Sequence, residues 1–235
     1  MRKRYIVGAN ILPICGARGR VWRACKTPEE SQMVRAVILA LSTTVALLTA
    51  SATAAAPDKN PATAPSGDYA LDKRHAALIA RIDHQGGVSK SVFRFDGLDG
   101  TLKWDGAKPE QSSLSVTIDP KSIVTPVAGF AEELAGDKFF KSAQFPTITF
   151  VSKSVVLSGP TSGKVTGDLT FLGVTKPVVL DVTFGGVGKA KDGAKLGFAA
   201  TTRFDRRDFG FTTLSGPIGN DVDIQIDIEF DQIKK

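Results

Sequence analysis

Histidine is the side chain best suited to proton transfer near neutral pH, and the 235-residue chain has two, His75 and His84. They stand nine positions apart across an alternating apolar run, which turns them to opposite faces of a strand. No Ser-x-Gly elbow lies near either, so a nucleophilic triad finds no support. His75 is expected to hydrogen-bond a neighbouring strand or loop. A histidine cluster, a Gly-x-Gly-x-x-Gly following a strand and a P-loop are all missing from the sequence, which argues against zinc and nucleotide sites. No catalytic residue, metal ligand or cofactor is therefore expected. The richest polar group is Asp205-Arg206-Arg207-Asp208. Two roles are open to it. A guanidinium could clamp a diphosphate or quinone head group bidentately, or an Arg–Asp strut could close one end of the fold. The flanking acids cancel the positive field and favour the strut.

Such groups need a frame, and residues 139–180 indicate which. They read FFKSAQFPTITFVSKSVV, a Gly/Ser turn, then GKVTGDLTFLGVTKPVVL. Val165, Leu169 and Phe171 alternate with Thr166, Asp168 and Thr170, the period of a strand with one wet face. Val178, Leu180, Val182 and Phe184 keep that rhythm beyond a turn placed at residues 173–177, with Pro177 tolerated at a strand start. Two such runs predict an antiparallel hairpin.

Composition separates the chain into a leader and one domain. Residues 33–56 carry Arg35, an apolar run and Ala52-Thr53-Ala54, the three parts of a cleavable secretory signal. Cleavage is expected after Ala54 or Ala56. Residues 1–32 are basic, hold both cysteines (Cys15 and Cys25), and read as an upstream extension outside the true protein, with Met33 as its start. Residues 1–56 carry eight of the 30 basic and two of the 24 acidic side chains, which leaves 22 of each from Pro57 onward. The basic balance thus belongs to the leader and implies no nucleic-acid partner. Residues 57–67 offer little to bury and predict a disordered lead-in. Residues 68–232 then form one domain of single-core size.

Within that domain, strands are predicted over 69–83, 88–95, around Leu102 and Trp104, and through Leu114, Val116 and Ile118, with turns at Gly86-Gly87 and over 97–100. A helix is predicted over 127–140, with Phe130 and Leu134 on one face and Glu132 and Glu133 turned away. A soft loop is predicted at Gly185-Gly186 and over 189–195. Val222, Ile224, Ile226, Ile228 and Phe230 alternate strictly with polar residues in the last strand. About eight strands at this spacing mean a sandwich or a barrel. One apolar face per strand and the removal of exposed edges favour the barrel. Such a barrel encloses packed side chains or one small ligand.

The stretches FFKSAQFPTITF and GDLTFLGVTKPVVLDVTF resemble the YceI-like family, whose pattern runs FF-x-x-x-x-(Y/F)-P-(T)-I-x-F and then G-x-L-T-x-x-G-V-T-(K/R)-P-V. The resemblance extends over about residues 69–230, through the run around Asp119-Pro120 and through Arg207-Asp208-Phe209-Gly210. It implies an all-β, antiparallel, lipocalin-like β-barrel of about eight strands, with one short helix at an end. It also implies a periplasmic carrier of a long apolar lipid: a polyisoprenoid, an isoprenoid quinone or a comparable acyl-chain amphiphile. Rival readings are an enzyme acting on a lumen-bound lipid and a ligand-free module assisting membrane redox or stress-response proteins. Transient membrane contact and a homodimer are compatible with the carrier reading.

Candidate lumen residues are Phe93, Phe95, Phe130, Phe150, Phe171 and Phe198, with Phe150 and Phe171 expected on opposing faces of the central pair. His84 falls at the family's K-H-x-G position, which implies a rim site, and Arg206 and Asp208 complete the candidate head-group set. Three positions depart from the pattern: Ala76 replaces Ser, Phe93 replaces Gly, and Asp205 replaces Asn. Residues 130–134 (FAEEL) stand where R-D-x-H-L is usual, so no role of that Arg–Asp–His set carries over, and a less polar mouth follows.

Overall fold

The computed structural model describes residues 56–234. Apart from Ala56, the extension and export signal expected for residues 1–56 lie outside the described residues. Ten strands follow in order: β1 (Gly67–His84), β2 (Ser89–Phe95), β3 (Leu98–Trp104), β4 (Ser113–Ile118), β5 (Ile123–Val124), β6 (Ile148–Leu157), β7 (Ser162–Phe171), β8 (Val174–Ala190), β9 (Gly193–Asp205) and β10 (Ile218–Gln232). One α-helix, α1 (Phe130–Ala135), lies between β5 and β6. The circuit β1–β3–β4–β6–β7–β8–β9–β10 closes where β10 pairs with β1, and every neighbour is antiparallel. This is the lipocalin-like barrel that the resemblance implied and that one apolar face per strand favoured.

Two staves are jogged. β2 and β3 both run antiparallel to β1, β2 along its second half and β3 along its start. The chain therefore keeps its direction through Asp96-Gly97, and the turn expected over 97–100 does not form; Gly100 sits inside β3 opposite Val116. β4 and β5 repeat the jog around Asp119–Ser122, with β5 pairing to β2. The jogs lock together, because Asp119 N–H donates to Gly97 O at 2.8 Å and Asp96 N–H to Ser122 O at 3.2 Å. A Cβ on Gly97 would lie 2.7 Å from Ser122 Cβ, so only glycine fits without a shift.

The central hairpin turns earlier than expected. Leu172 and Gly173 both have positive φ, 50° and 76°, the backbone of a two-residue type I′ turn. Pro177 therefore lies inside β8, opposite Asp168. Pairing of β8 with β9 starts only at Asp181, so its missing N–H leaves no ladder bond unmade. β8 runs on through Gly185-Gly186 by a register break, and the loop expected over 189–195 shrinks to Lys191-Asp192.

The helix is also shorter than the predicted 127–140. Gly129, left-handed at φ 78°, precedes it, and Gly136 caps it. Beyond it the chain folds back in turns: Phe140 N–H donates to Leu134 O at 2.9 Å and Ser142 N–H to Ala135 O at 3.0 Å. Leu134 is buried and Phe130 half-buried, as the periodicity implied, and Glu132 and Glu133 are exposed.

At the other end, the stretch expected to be a disordered lead-in forms a strap. Asn60 caps a 3-10 turn over Pro61–Thr63. Val187 N–H donates to Asp58 O at 2.7 Å, Tyr69 O–H to Pro65 O at 2.5 Å, and Gly106 N–H to Ser66 Oγ at 2.9 Å. Composition gave this segment little to bury, and apart from the buried Ala64 it is polar contacts that hold it.

Candidate functional site

Period-two alternation turns one face of every stave inward, where side chains surround a cavity of about 500 Å³. Its wall is almost wholly aliphatic and aromatic. β10 gives Val222, Ile224, Ile226, Ile228 and Phe230; β8 gives Val178, Leu180, Val182 and Phe184; β7 gives Val165, Leu169 and Phe171.

Rings cluster at both ends. At the helix end, Phe93 meets Phe130 at 6.4 Å between centroids, Phe95 meets Phe140 at 6.1 Å, and Phe140 meets Phe171 at 5.8 Å and Phe211 at 5.6 Å. At the strap end, Trp104 stacks on Phe184 at 5.6 Å with 9° between planes, and Phe198 approaches both edge-on. Each such pair adds about 0.5–1.5 kcal/mol beyond its area burial.

The cavity wall includes Phe93, Phe95, Phe130, Phe150, Phe171 and Phe198. Phe150 and Phe171 share the inner face, which corrects their expected opposition: Phe150 pairs across with Leu169, and Phe171 lies two residues further along that face. His84 and Arg206 also reach the wall at the helix end, whereas Asp208 is exposed on the turn after β9 and does not. The structure thus does not bring the nominated head-group set together.

Arg206 is 1 % exposed. Its Nε donates to Gly219 O at 2.8 Å, Nη1 to Phe211 O at 3.0 Å and Thr213 O at 2.6 Å, and Nη2 to Ile218 O at 3.2 Å. Four of a guanidinium's five N–H donors are thereby committed, two to the connection between β9 and β10 and two to the first residues of β10, and the ring centroid of Phe211 lies 5.3 Å from Cζ. Arg206 is a strut, but its partners are carbonyls rather than the aspartates. Asp205 instead holds the exposed Arg207.

A second polar cluster, missed by the sequence reading, sits on the barrel wall where β1 closes on β10. The register breaks between Leu71 and Ala76, and the bulge turns Asp72 into a buried position. His75 Nδ1 lies 2.8 Å from Asp72 Oδ2 and 3.6 Å from Glu229 Oε2. Asp72, His75 and Glu229 are close enough to share an ion. Lys195 Nζ already stands there, 2.7 Å from Asp72, 3.0 Å from Glu229 and 2.7 Å from Asp231. Hydrogen bonds from Arg74, Lys195 and His75 hold the Asp72 carboxyl well below the usual carboxylate range. Burial works against the Lys195 charge, but its bonds to Asp231, Asp72 and Glu229 win and hold its pKa above the ordinary lysine value. The lysine was placed in a loop by sequence, which hid this cluster.

Comparison with known proteins follows this architecture. The family model described as YceI-like domain matches residues 69–230. A UPF0312 protein of Pseudomonas fluorescens (strain SBW25) is 37 % identical over 200 residues, covering 84 % of this chain and 97 % of its own. Among solved structures, the Campylobacter jejuni YceI protein is 35 % identical with a TM-score of 0.56, over 63 % of this chain and 88 % of that one. Burkholderia cenocepacia BcnA matches at TM-score 0.60 and 24 % identity, over 68 % and 98 %. A polyisoprenoid binding domain from Saccharophagus degradans matches at TM-score 0.55 and 15 % identity, over 70 % and 98 %. The last two establish likeness of fold.

Proposed function

The chain belongs to the YceI-like family, and from that premise and its apolar cavity we propose that it is a non-enzymatic periplasmic carrier of one long isoprenoid or acyl-chain lipid. The observation that carries the reading is the closed barrel around about 500 Å³ of almost wholly apolar space. That volume lies in the range of small-molecule sites, roughly 300–1,000 Å³. Burying apolar chain contributes about 0.8 kcal/mol per CH₂, so affinity needs no charged contact. Phe93, Phe95, Phe130, Phe150, Phe171 and Phe198 would grip the chain, and His84 would stand beside its helix-end terminus. The structural neighbour whose name records polyisoprenoid binding supports the ligand class. The Arg35-led apolar run and Ala52-Thr53-Ala54 support export.

Protein gently isolated from the host periplasm should begin at Ala55 or Pro57 by intact mass. It should also release an organic-soluble lipid at close to one per chain. Altered lipid in the extract would favour an enzyme. Lipid-free protein would sink the carrier reading and favour an interaction module, and a chain retaining Cys15 and Cys25 would refute the cleavage.

A further inference from the structure

The inner face of the barrel changes character where β4 parts from β6. Their ladder ends at Ser115 opposite Val151. Beyond it β6 runs on to Leu157 paired with β7 alone, and the 3-10 turn Pro109–Gln111 precedes β4 on the other side of the seam. Here, toward the strap end, the cavity reaches the surface: Leu157 and Pro160 both line it, and Leu157 is 50 % exposed. On either side of the seam a serine takes a place that alternation otherwise gives to apolar residues. Ser112 continues the inward series of Leu114, Val116 and Ile118, and Ser152 follows Phe150. Both serines line the cavity and are only half-buried.

Each serine oxygen already serves a backbone donor. Ser112 Oγ accepts from Asp105 N–H at 3.0 Å, and Ser152 Oγ accepts from Leu114 N–H at 2.8 Å across the seam. A hydroxyl that accepts in this way keeps its one proton to give, and among the described residues no acceptor takes either proton. The threonines on the wall toward the helix end differ: Thr202 Oγ1 donates to Val179 O and Thr213 Oγ1 to Lys138 O, each at 2.8 Å. Hydroxyl protons turned to apolar space are costly unless an acceptor meets them. The chemistry of that acceptor is narrowed by charge. Among the described residues, the Lys, Arg, Asp and Glu side chains on the cavity wall reduce to Arg206, at the helix end, where carbonyls engage it. A carboxylate or phosphate at the seam would meet no counter-charge on the wall.

We propose that the Ser112 and Ser152 hydroxyls donate to an uncharged oxygen, of carbonyl type, on the lumen ligand. The ligand then seats its polar end at the β4–β6 seam and runs its chain toward α1. This rests on the carrier reading and adds the class of head group and the orientation.

The test uses the full chain, stripped of lipid, with a long straight-chain methyl ketone and the alkane of the same carbon number. Ser112→Ala and Ser152→Ala should each weaken ketone binding roughly 3–10-fold and leave alkane affinity unchanged. Equal loss for both probes would make the serines supports of the wall, and unchanged ketone affinity would leave their protons to water; either result overturns the proposal. Should a variant fail to fold, the unaltered protein still decides. The ketone's methyl protons should give nuclear Overhauser contacts to Leu114 and Leu157 at the seam. Contacts to Phe93 or Phe130 instead would put the polar end at the helix end and overturn the proposal. If neither probe binds unaltered protein, the carrier reading falls and this one with it, whereas binding of both with the wrong selectivity or the wrong contacts overturns this one alone.

Discussion

Asp72 shows how one residue can hold a seam. It is buried where β1 must close on β10, and its charge is tolerated because Arg74, Lys195 and His75 surround it. Its folded pKa is depressed, so the stability it contributes is fully present above the unfolded carboxylate value of about 3.9. That contribution is lost as pH falls through the folded pKa. Asp72→Asn should therefore melt lower than the parent at pH 7, and the two melting curves should converge as pH is lowered from about 4. A constant gap over that range would show that the carboxylate's charge is not the source. In sequence, Leu71-Asp72-Lys73-Arg74-His75 gives no sign of this, because burial of Asp72 depends on a bulge and on a lysine 123 positions away.

At the scale of elements, the strands were legible and their joints were not. Side-chain alternation reports which face is wet, and it located the inward residues of β7, β8 and β10 correctly. It does not report whether a glycine between two alternating runs reverses the chain or merely offsets it, so the jog at Asp96-Gly97 read as a turn. Nor does it see backbone hydrogen bonds, which order the strap and carry β8 past Gly186. The helix was found with the right face and at more than twice its observed six residues, since apolar Phe139 and Phe140 continue its pattern past Gly136. Its packing can be measured. Phe130 is half-buried against Phe93 and Phe139, so Phe130→Ala should cost roughly 1–3 kcal/mol in urea unfolding, below the ~3–5 kcal/mol of a fully buried ring. A change under about 0.5 kcal/mol, typical of surface sites, would place the ring in solvent and detach α1 from the barrel end.

For the whole molecule, the decisive question was whether eight staves enclose a packed core or a space, and alternation looks the same for both. The rings that line the cavity were readable as inward; that they leave room between them depends on the barrel's closure and on Phe130, Phe139 and Phe140 arriving from outside the circuit. Ala200 offers a direct probe of that room. It is buried on β9, between Val182 of β8 and Ile226 of β10, and faces the cavity. With about 500 Å³ of space before it, the indole of Ala200→Trp should enter the lumen without forcing its neighbours apart. The variant should keep the parent's melting temperature once both are stripped of lipid, and it should take up long-chain lipid at well below one per chain. In a filled core, the same substitution would instead destabilise by roughly 1–3 kcal/mol through overpacking. A stripped variant that melts markedly below the stripped parent would therefore show that the space is not available to a ligand. A variant that melts normally and still binds one lipid per chain would move the binding site out of the lumen.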